Sequence, residues 1–393
     1  MKKIFHLILL LLAVLLTSCV DYDDEVQQYI DYPNHRTVLV YIIPANLGGY
    51  AQKDIQEMKQ GIKQLDTSIN NLIVYYDKGK AGAELYKITS TGGGDCQQII
   101  KEYPDQHSTT PEVMSQVIKD AFREYPAGSK GLILWSHGDG WIKANKKYKA
   151  GTRWWGSEER HNMDITDIAT AIKAADVHFD FIMYDSCFMQ NIETDYALRH
   201  HADYFIGSPT EIPGPGAPYQ EITQYMFQRY DKYVENIAKS YYAFYKNMYH
   251  ESGEWTDGVS ISVVKSSELD NLAAATAAAM PSEVNIEIYE NIFNYDCRSS
   301  KYYSDFKMAM KEIAPQQYDI WYKAFQKAVP VWNTTPTNFS AFGGNFAIPE
   351  ETGGLSCYLP RAGQEKETTF WHSYEWYKAA GWNKKDMIET NKK

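Results

Sequence analysis

Short, continuous apolar runs alternate with longer segments of helical periodicity, and this alternation limits the folds open to the chain. The apolar runs are rich in β-branched and aromatic residues, which is typical of strands buried on both faces. They cover residues 37–43, 72–76, 131–135, 179–184 and 204–207. The helical patterns cover residues 54–65, 111–122 and 164–175. Strands and helices in alternation predict an α/β fold with a mostly parallel sheet flanked by helices.

Beyond Pro218 the pattern changes. We expect a sheet domain of residues 36–219 and a C-terminal subdomain of residues 220–393 that packs on the sheet and contributes a late strand and a hairpin. The predicted elements of the subdomain are one or two tyrosine-rich helices in 220–250, a strand at 258–264, a helix at 269–280, helices in 286–330 and a β-hairpin in 338–360. Residues 84–88 predict an edge strand of the main sheet.

The first nineteen residues have the pattern of a secretory signal. Two lysines precede the apolar run Leu7 to Leu16, which is short for a membrane span. The ending Leu-Thr-Ser-Cys19 resembles the bacterial lipobox, which implies that Cys19 is lipidated; the alternative is a plain signal peptide with an incidental cysteine. Acidic residues 20–35 are predicted to form a tether. The expected location is therefore a bacterial membrane, at the outer membrane or cell surface, reached by secretion and held by lipid.

Charge and cysteine content exclude several classes of function. With 39 Lys and Arg against 50 Asp and Glu, the chain carries a net charge of −11, so we expect no nucleic-acid partner. Five cysteines in 393 residues are too few for a disulfide framework. Neither zinc-finger spacing nor an HExxH motif is present, so we expect no metal site and no cofactor.

Two predicted strands end in residues that can do chemistry together. The run 131–135 continues into Ser136-His137-Gly138, and the run 179–184 continues into Asp185-Ser186-Cys187. If these strands are neighbours, the histidine and the cysteine emerge at the same sheet edge. An imidazole can take the thiol proton, and the Gly138 N–H is unobstructed toward a developing oxyanion. Taken singly, each residue has a plainer interpretation, a buried cysteine and a turn histidine.

These segments resemble a known family. LILWSHGDGW (132–141) and FIMYDSCFMQNIETDYALRHHADYFIGSPTEIPGPGAPY (181–219) are similar to the clostripain family of cysteine peptidases, in the clan that includes caspases, gingipains, legumains and separases. GLSCYLP (354–360) also resembles a C-terminal strand of clostripain relatives. The resemblance implies a caspase-like fold, His137 as general base and acid, and Cys187 as a nucleophile that forms a thioester acyl-enzyme. It places the N–H groups of Gly138 and Cys187 in an oxyanion hole.

The resemblance also implies a substrate class. Asp185 matches the acid that family members place in the S1 pocket, which implies protein or peptide substrates cleaved after Arg, with Lys as a second candidate. The alternative is a helix-capping carboxylate. Some relatives carry a second S1 acid where this chain has Pro215; Glu211 is a candidate replacement or a loop ligand. Trp141 is a candidate wall of the substrate cleft or a core residue. Some relatives need calcium, which leaves a calcium requirement open.

A basic loop follows the histidine motif in this acidic chain. Five of the eleven residues 143–153 are Lys or Arg. Clostripain relatives are activated by cleavage between the histidine and cysteine segments, which implies self-processing at Lys147, Lys149 or Arg153. The alternative is a solvated charged loop. For the whole protein, the alternative to an active peptidase is a catalytically silent or peptide- or glycan-binding surface lipoprotein on a peptidase-like fold.

Overall fold

The computed structural model describes residues 36–90, 96–142, 155–158, 161–228, 231–250, 256–361, 364 and 368–388. The predicted signal segment with Cys19, the predicted tether and the candidate processing residues Lys147, Lys149 and Arg153 lie outside these described residues. None of the helices within the described ranges combines the length and the apolar character that crossing a membrane requires.

Strands and helices alternate along the first half of the chain and mix less regularly in the second. The strands are β1 (Arg36–Ile42), β2 (Asn70–Asp77), β3 (Ala83–Ile88), β4 (Gln97–Tyr103), β5 (Ser129–Trp135), β6 (Trp155–Glu158), β7 (His161–Met163), β8 (Phe179–Asp185), β9 (Ala202–Gly207), β10 (Ser260–Lys265), β11 (Glu283–Asn285), β12 (Ser304–Asp305), β13 (Val331–Thr334), β14 (Thr337–Asn338), β15 (Phe346–Ala347), β16 (Ser356–Cys357) and β17 (Asp386–Ile388). The α-helices are α1 (Gly48–Gly61), α2 (Pro111–Glu124), α3 (Ile165–Ala175), α4 (Ile192–Leu198), α5 (Tyr219–Met226), α6 (Tyr233–Met248), α7 (Leu269–Ala279), α8 (Phe306–Ile313), α9 (Tyr318–Ala328) and α10 (Glu375–Ala379).

A nine-stranded sheet organises the described residues. Its order is β13-β10-β9-β8-β5-β1-β2-β3-β4. The five central strands, β2, β1, β5, β8 and β9, run parallel to one another. The outer strands pair antiparallel, β3 and β4 at one edge and β10 and β13 at the other. The prediction of a mixed α/β fold with a mostly parallel central sheet flanked by helices is confirmed.

The central strands bury both faces because their side chains alternate. In β1, Leu39 and Tyr41 pack into one apolar layer, whereas Val38 and Val40 pack into the other. Helices α2, α3 and α4 cover the first layer and α1, α5 and α6 cover the second. Within α3, the predicted N-cap Asp164 accepts hydrogen bonds from the N–H groups of Thr166 and Asp167.

Several elements differ from expectation. Strand β4 lies outside β3, so residues 84–88 are not at the edge; the exposed, polar sequence of β4 lacks an alternating pattern. Strand β13 also has no counterpart among the predicted elements, because it is short and follows a proline. The region 286–330 contains α8 and α9, but residues 292–303 are not helical.

The chain after residue 219 adds to the main sheet and also packs behind the predicted nucleophile. Strands β10 and β13 extend the sheet, whereas β16 pairs with β12 outside it. Ser356 in β16 also forms a bridge to Asn191, four residues after Cys187. The hairpin in this region is formed by β14 and β15. The division into a sheet domain and a subdomain stays a prediction.

Candidate active site

The register of β5 and β8 brings His137 and Cys187 together. The two strands are parallel neighbours, and Trp135 is paired with Asp185 at their carboxyl ends. His137 and Cys187 each follow two residues later, so they leave the sheet at the same level on adjacent strands. The condition set by the sequence, that these strands be neighbours, is met.

Gly138 lies directly against the backbone of the cysteine turn. A Cβ atom at this position would be 2.7 Å from the carbonyl oxygen of Cys187 and 2.9 Å from Cβ of Ser186. Only a residue without a side chain fits such a separation. Ser186 fills the remaining space: its Oγ donates to the carbonyl of Leu134 and accepts from the indole N–H of Trp155. The histidine and cysteine turns therefore pack as one unit.

The residue after Cys187 has an unusual backbone conformation. Phe188 has a φ of +59°, a left-handed value that costs a bulky residue about 1–3 kcal/mol. Its ring stacks on Tyr303 with centroids 4.6 Å apart, and the guanidinium of Arg298 lies 5.0 Å from the centre of the same ring. The Phe188 N–H donates to the carbonyl of Thr210 at 2.9 Å. Packing thus holds a strained turn that carries the thiol.

An ion pair that the sequence does not indicate holds the histidine turn. Arg298 donates to both carboxylate oxygens of Asp139, at 3.1 and 2.6 Å, and Tyr303 donates to Asp139 as well. Asp139 is two residues after His137 and is buried. Arg298 lies in the non-helical stretch 292–303, far away in sequence, so no local pattern could pair it with Asp139.

The thiol and the imidazole each have another partner. The backbone N–H of Ile212 donates to Sγ of Cys187 at 3.4 Å, and Nε2 of His137 lies 2.6 Å from Oδ1 of Asn46. Among the described residues, no hydrogen bond joins the thiol to the imidazole. Burial raises the pKa of the Cys187 thiol to about 12 and lowers the pKa of His137. Both shifts favour the neutral forms of the thiol and of the imidazole in the free protein.

Asp185 lies beside a second carboxylate, Asp54 of α1. A Cβ on Gly216 would be 3.1 Å from both oxygens of Asp185 and 3.3 Å from Oδ2 of Asp54. Asp185 accepts from the N–H of Ala217 and from the hydroxyl of Tyr219, at 2.8 Å for the hydroxyl. These bonds tie Asp185 to the loop after β9 and to the first residue of α5, and not to α4, the helix that follows Cys187.

Asp54 itself has no exposed surface. Its Oδ2 accepts from the indole N–H of Trp135 at 2.7 Å, and its Oδ1 is buried without a hydrogen-bond partner in the described residues. Burial, and then the charge of Asp185, raise the pKa of Asp54 well above its usual range. Sequence reasoning misses Asp54, since it is simply one polar residue on an amphipathic helix.

Two further residues that the sequence singles out, Trp141 and Glu211, are buried in contact with other parts of the fold. Trp141 is fully buried among aromatic rings, so the structure places it in the core and not on a cleft wall. Glu211 is buried and accepts from the N–H of Ala341 at 3.1 Å, which fits a loop ligand; its contact with substrate stays a prediction. Within the parts of the chain that the structure describes, no group of three His, Cys, Asp or Glu residues is placed to hold a metal ion.

Comparisons of the sequence and of the fold with known proteins both lead to cysteine proteases of the same family. The profile of the clostripain family matches residues 40–385. A secreted C11 cysteine protease from Bacteroides thetaiotaomicron, solved with an irreversible peptide inhibitor, is 37% identical, covers 89% of this chain and 99% of its own, and superposes with a TM-score of 0.80. An inactive zymogen C11 protease from Parabacteroides distasonis is 31% identical, covers 88% and 97%, and has a TM-score of 0.76. A search of curated proteins returned no match.

The raised pKa of the Cys187 thiol predicts how its alkylation depends on pH. Because only the thiolate reacts, the rate at which iodoacetamide modifies Cys187 should rise about tenfold per pH unit between about pH 6 and 9 in the free protein. Peptide mass analysis separates Cys187 from Cys96, Cys297 and Cys357, and Cys187→Ala provides the blank. A rate that stays flat over this range would indicate a preformed thiolate–imidazolium pair and would contradict the neutral resting state.

Proposed function

The chain belongs to the clostripain family of cysteine proteases, and we propose that it is an endopeptidase that cleaves after Arg or Lys through Cys187 and His137. The observation that carries this proposal is the register of β5 and β8, which sets the two residues side by side at the carboxyl ends of adjacent strands. Peptide substrates are consistent with the inhibitor complex of the secreted C11 protease from B. thetaiotaomicron.

The chemistry follows from the groups at this edge. His137 leaves Asn46 and takes the proton of the Cys187 thiol, which leaves Ile212, and the thiolate attacks the substrate carbonyl carbon. The N–H groups of Gly138 and Cys187 then stabilise the oxyanion of the tetrahedral intermediate. The imidazolium gives its proton to the departing amine, and a thioester to Cys187 remains. His137 next activates a water molecule, which releases the new carboxyl group and restores the thiol.

The neighbouring carboxylates of Asp54 and Asp185 support a preference for a basic residue before the scissile bond. Asp54 and Asp185 are both buried, and burial raises the pKa of each, so ionisation of the pair becomes favourable when a positive charge is added beside it. A guanidinium or ammonium group would supply that charge and donate to the unpartnered Oδ1 of Asp54. Asp54 would thus take the part of the second acid that Pro215 cannot provide.

The proposed activity is tested with the chain from residue 20 onward. Fluorogenic peptides that end in Arg, Lys, Asp or Ala should be cleaved only after the basic residues, with and without added calcium. Cys187→Ala and His137→Ala should each abolish turnover, and matched melting temperatures would show that both variants fold. If no peptide that ends in Arg or Lys is cleaved, the proposal is wrong, and the alternative of a catalytically silent or peptide- or glycan-binding surface lipoprotein replaces it.

Asp54→Asn separates a role in specificity from a role in stability. The asparagine keeps an acceptor for Trp135 but removes the charge, so kcat/KM on basic peptides should fall at least about tenfold. Because burial raises the pKa of Asp54, the wild-type protein should lose stability as pH rises above the range of a free carboxyl, near about 4. The melting temperature of the variant relative to wild type should therefore increase from about pH 5 to about pH 9.

The control for Asp54→Asn is Glu312→Gln, which removes a charge from an exposed position of α8. It should change neither kcat/KM nor the pH dependence of melting. A purely structural Asp54 would give the opposite pattern: Asp54→Asn would melt at a lower temperature and would still cleave basic peptides normally.

We also propose self-processing in the basic loop and lipidation at Cys19. A zymogen is described for the similar C11 protease from P. distasonis, which supports processing in this chain. An enzyme that prefers basic residues would cut after Lys147, Lys149 or Arg153. The purified wild type should separate into two polypeptides on denaturing gels, and Cys187→Ala should stay intact. An active enzyme that stays as one polypeptide would rule out the processing step but not the protease.

Lipidation is tested by labelling. Growth of an expressing bacterium with an alkyne-modified palmitate should label the full chain, and Cys19→Ala should remove the label. Secretion of an unlabelled wild-type protein would favour the plain signal peptide.

A further inference from the structure

A second acidic site lies on the other side of the catalytic histidine. A cavity of about 590 Å³ opens at the carboxyl ends of β1 and β2. The residues that matter for its chemistry are Asn46, Tyr76, Asp77, Lys78, Ser157 and Glu158. None of them belongs to the predicted S1 pocket, where Asp54 and Asp185 lie beside Gly216.

Asp77 is the centre of this cavity's charge. Asp77 is one of the residues that line the cavity, and it is only 4% exposed. Oδ1 accepts from the N–H of Gly79 at 2.6 Å, and Oδ2 is buried without a hydrogen-bond partner in the part of the chain that the structure describes. A buried carboxylate oxygen without a donor is costly, and a cation placed against it would offset that cost.

Glu158 adds a second negative charge. Its Oε2 accepts weakly from the N–H of Thr109 at 3.3 Å, and its Oε1 lies 3.7 Å from Nδ1 of His107. Burial and the charge of Asp77 raise the pKa of Glu158, which reflects two acids close to each other. The nearby ammonium of Lys78 is bonded at 2.6 Å to Glu84, which does not line the cavity. The cavity therefore favours an incoming cation.

The size and composition of the cavity favour an organic cation. About 590 Å³ is far more than a bare metal ion occupies, and the lining includes the apolar residues Ile43 and Pro44. Lys and Arg combine an aliphatic stem with a charged end, which matches a cavity that has apolar walls and an acidic group.

The position of the cavity indicates which part of a substrate would reach it. In the sheet, β1 and β2 lie on the side of β5 opposite to β8, so His137 stands between the cavity and Cys187. Asn46, which lines the cavity, is also the residue that contacts the imidazole. Since the imidazolium delivers its proton to the departing amine, the polypeptide on the C-terminal side of the scissile bond leaves past the histidine.

We propose that Asp77 and Glu158 form a subsite for a Lys or Arg side chain located C-terminal to the scissile bond. This inference rests on the proposed protease function. It adds a preference for a basic residue after the scissile bond to the proposed preference for a basic residue before it. The basic loop has the matching chemistry: a cut after Lys147 would leave Lys149 and Arg153 on the C-terminal side.

The test compares peptide substrates that share the same residues before the scissile bond and differ only after it. Quenched peptides with Lys before the scissile bond carry Lys or Ala at the first, second or third position after it. The wild type should favour Lys at one of these positions by about tenfold in kcat/KM. Asp77→Asn and Glu158→Gln should each reduce that ratio toward one. Both variants should keep kcat/KM on an aminocoumarin amide, which has no residues after the bond.

A charge-reversal variant and a control variant test whether the charge of the subsite sets the preference. Glu158→Lys should turn the preference from Lys toward Glu at the same position, and Glu102→Gln, an exposed acid on β4, should leave the ratio unchanged. Asparagine at position 77 keeps an acceptor for Gly79, so the turn should persist, as melting temperatures can verify.

The results that would overturn the subsite differ from those that would overturn the protease. Cleavage of the aminocoumarin amide with no preference among the Lys and Ala peptides would overturn the subsite alone. A preference that vanishes with a chelator and returns with calcium would mean that the two acids hold an inorganic cation, and would also overturn it. Failure to cleave any basic substrate would overturn both proposals.

Discussion

Everything at the proposed site depends on the hydrogen-bonded register between two parallel strands. Because Trp135 pairs with Asp185, the next two residues of each strand reach the same level, and His137 and Cys187 meet. Close packing then removes the remaining freedom: Gly138 touches the cysteine turn, and Arg298 clamps the histidine turn through Asp139. Any change that shifted β5 against β8 would separate the proposed base from the proposed nucleophile, whichever side chains were present.

The substrate recognition that we propose relies on acidic side chains that lie close together in the fold. Asp54 beside Asp185, and Asp77 beside Glu158, are two pairs of acids on opposite sides of the dyad. In both proposals, a basic side chain of the substrate offsets the repulsion within the pair of acids that it contacts. In the free structure, the thiol of Cys187 and the imidazole of His137 are bonded to Ile212 and Asn46 respectively.

Much of this follows from local patterns. Continuous apolar runs predict the five parallel strands, because strands buried on both faces need apolar residues throughout. His137 and Cys187 stand out because they directly follow such runs. Strand β4 escapes prediction because its side chains are mostly polar and largely exposed. Residues 292–303 are wrongly predicted as helical because aromatic residues give no clear period there. Trp141 follows the histidine motif closely, yet aromatic rings from distant segments cover it.

The sequence by itself determined the central parallel strands, the family resemblance and the pair His137 and Cys187, because each is encoded in contiguous residues. Only the tertiary structure decided which distant groups join them. Asp54 comes from the helix after β1, Arg298 from a stretch near residue 300, and Asp77 from the end of β2. Asp54 and Asp77 approach the site because parallel strands deliver separate chain segments to one edge of the sheet, whereas Arg298 reaches it from a stretch outside the sheet. No local pattern encodes which of these segments lie side by side.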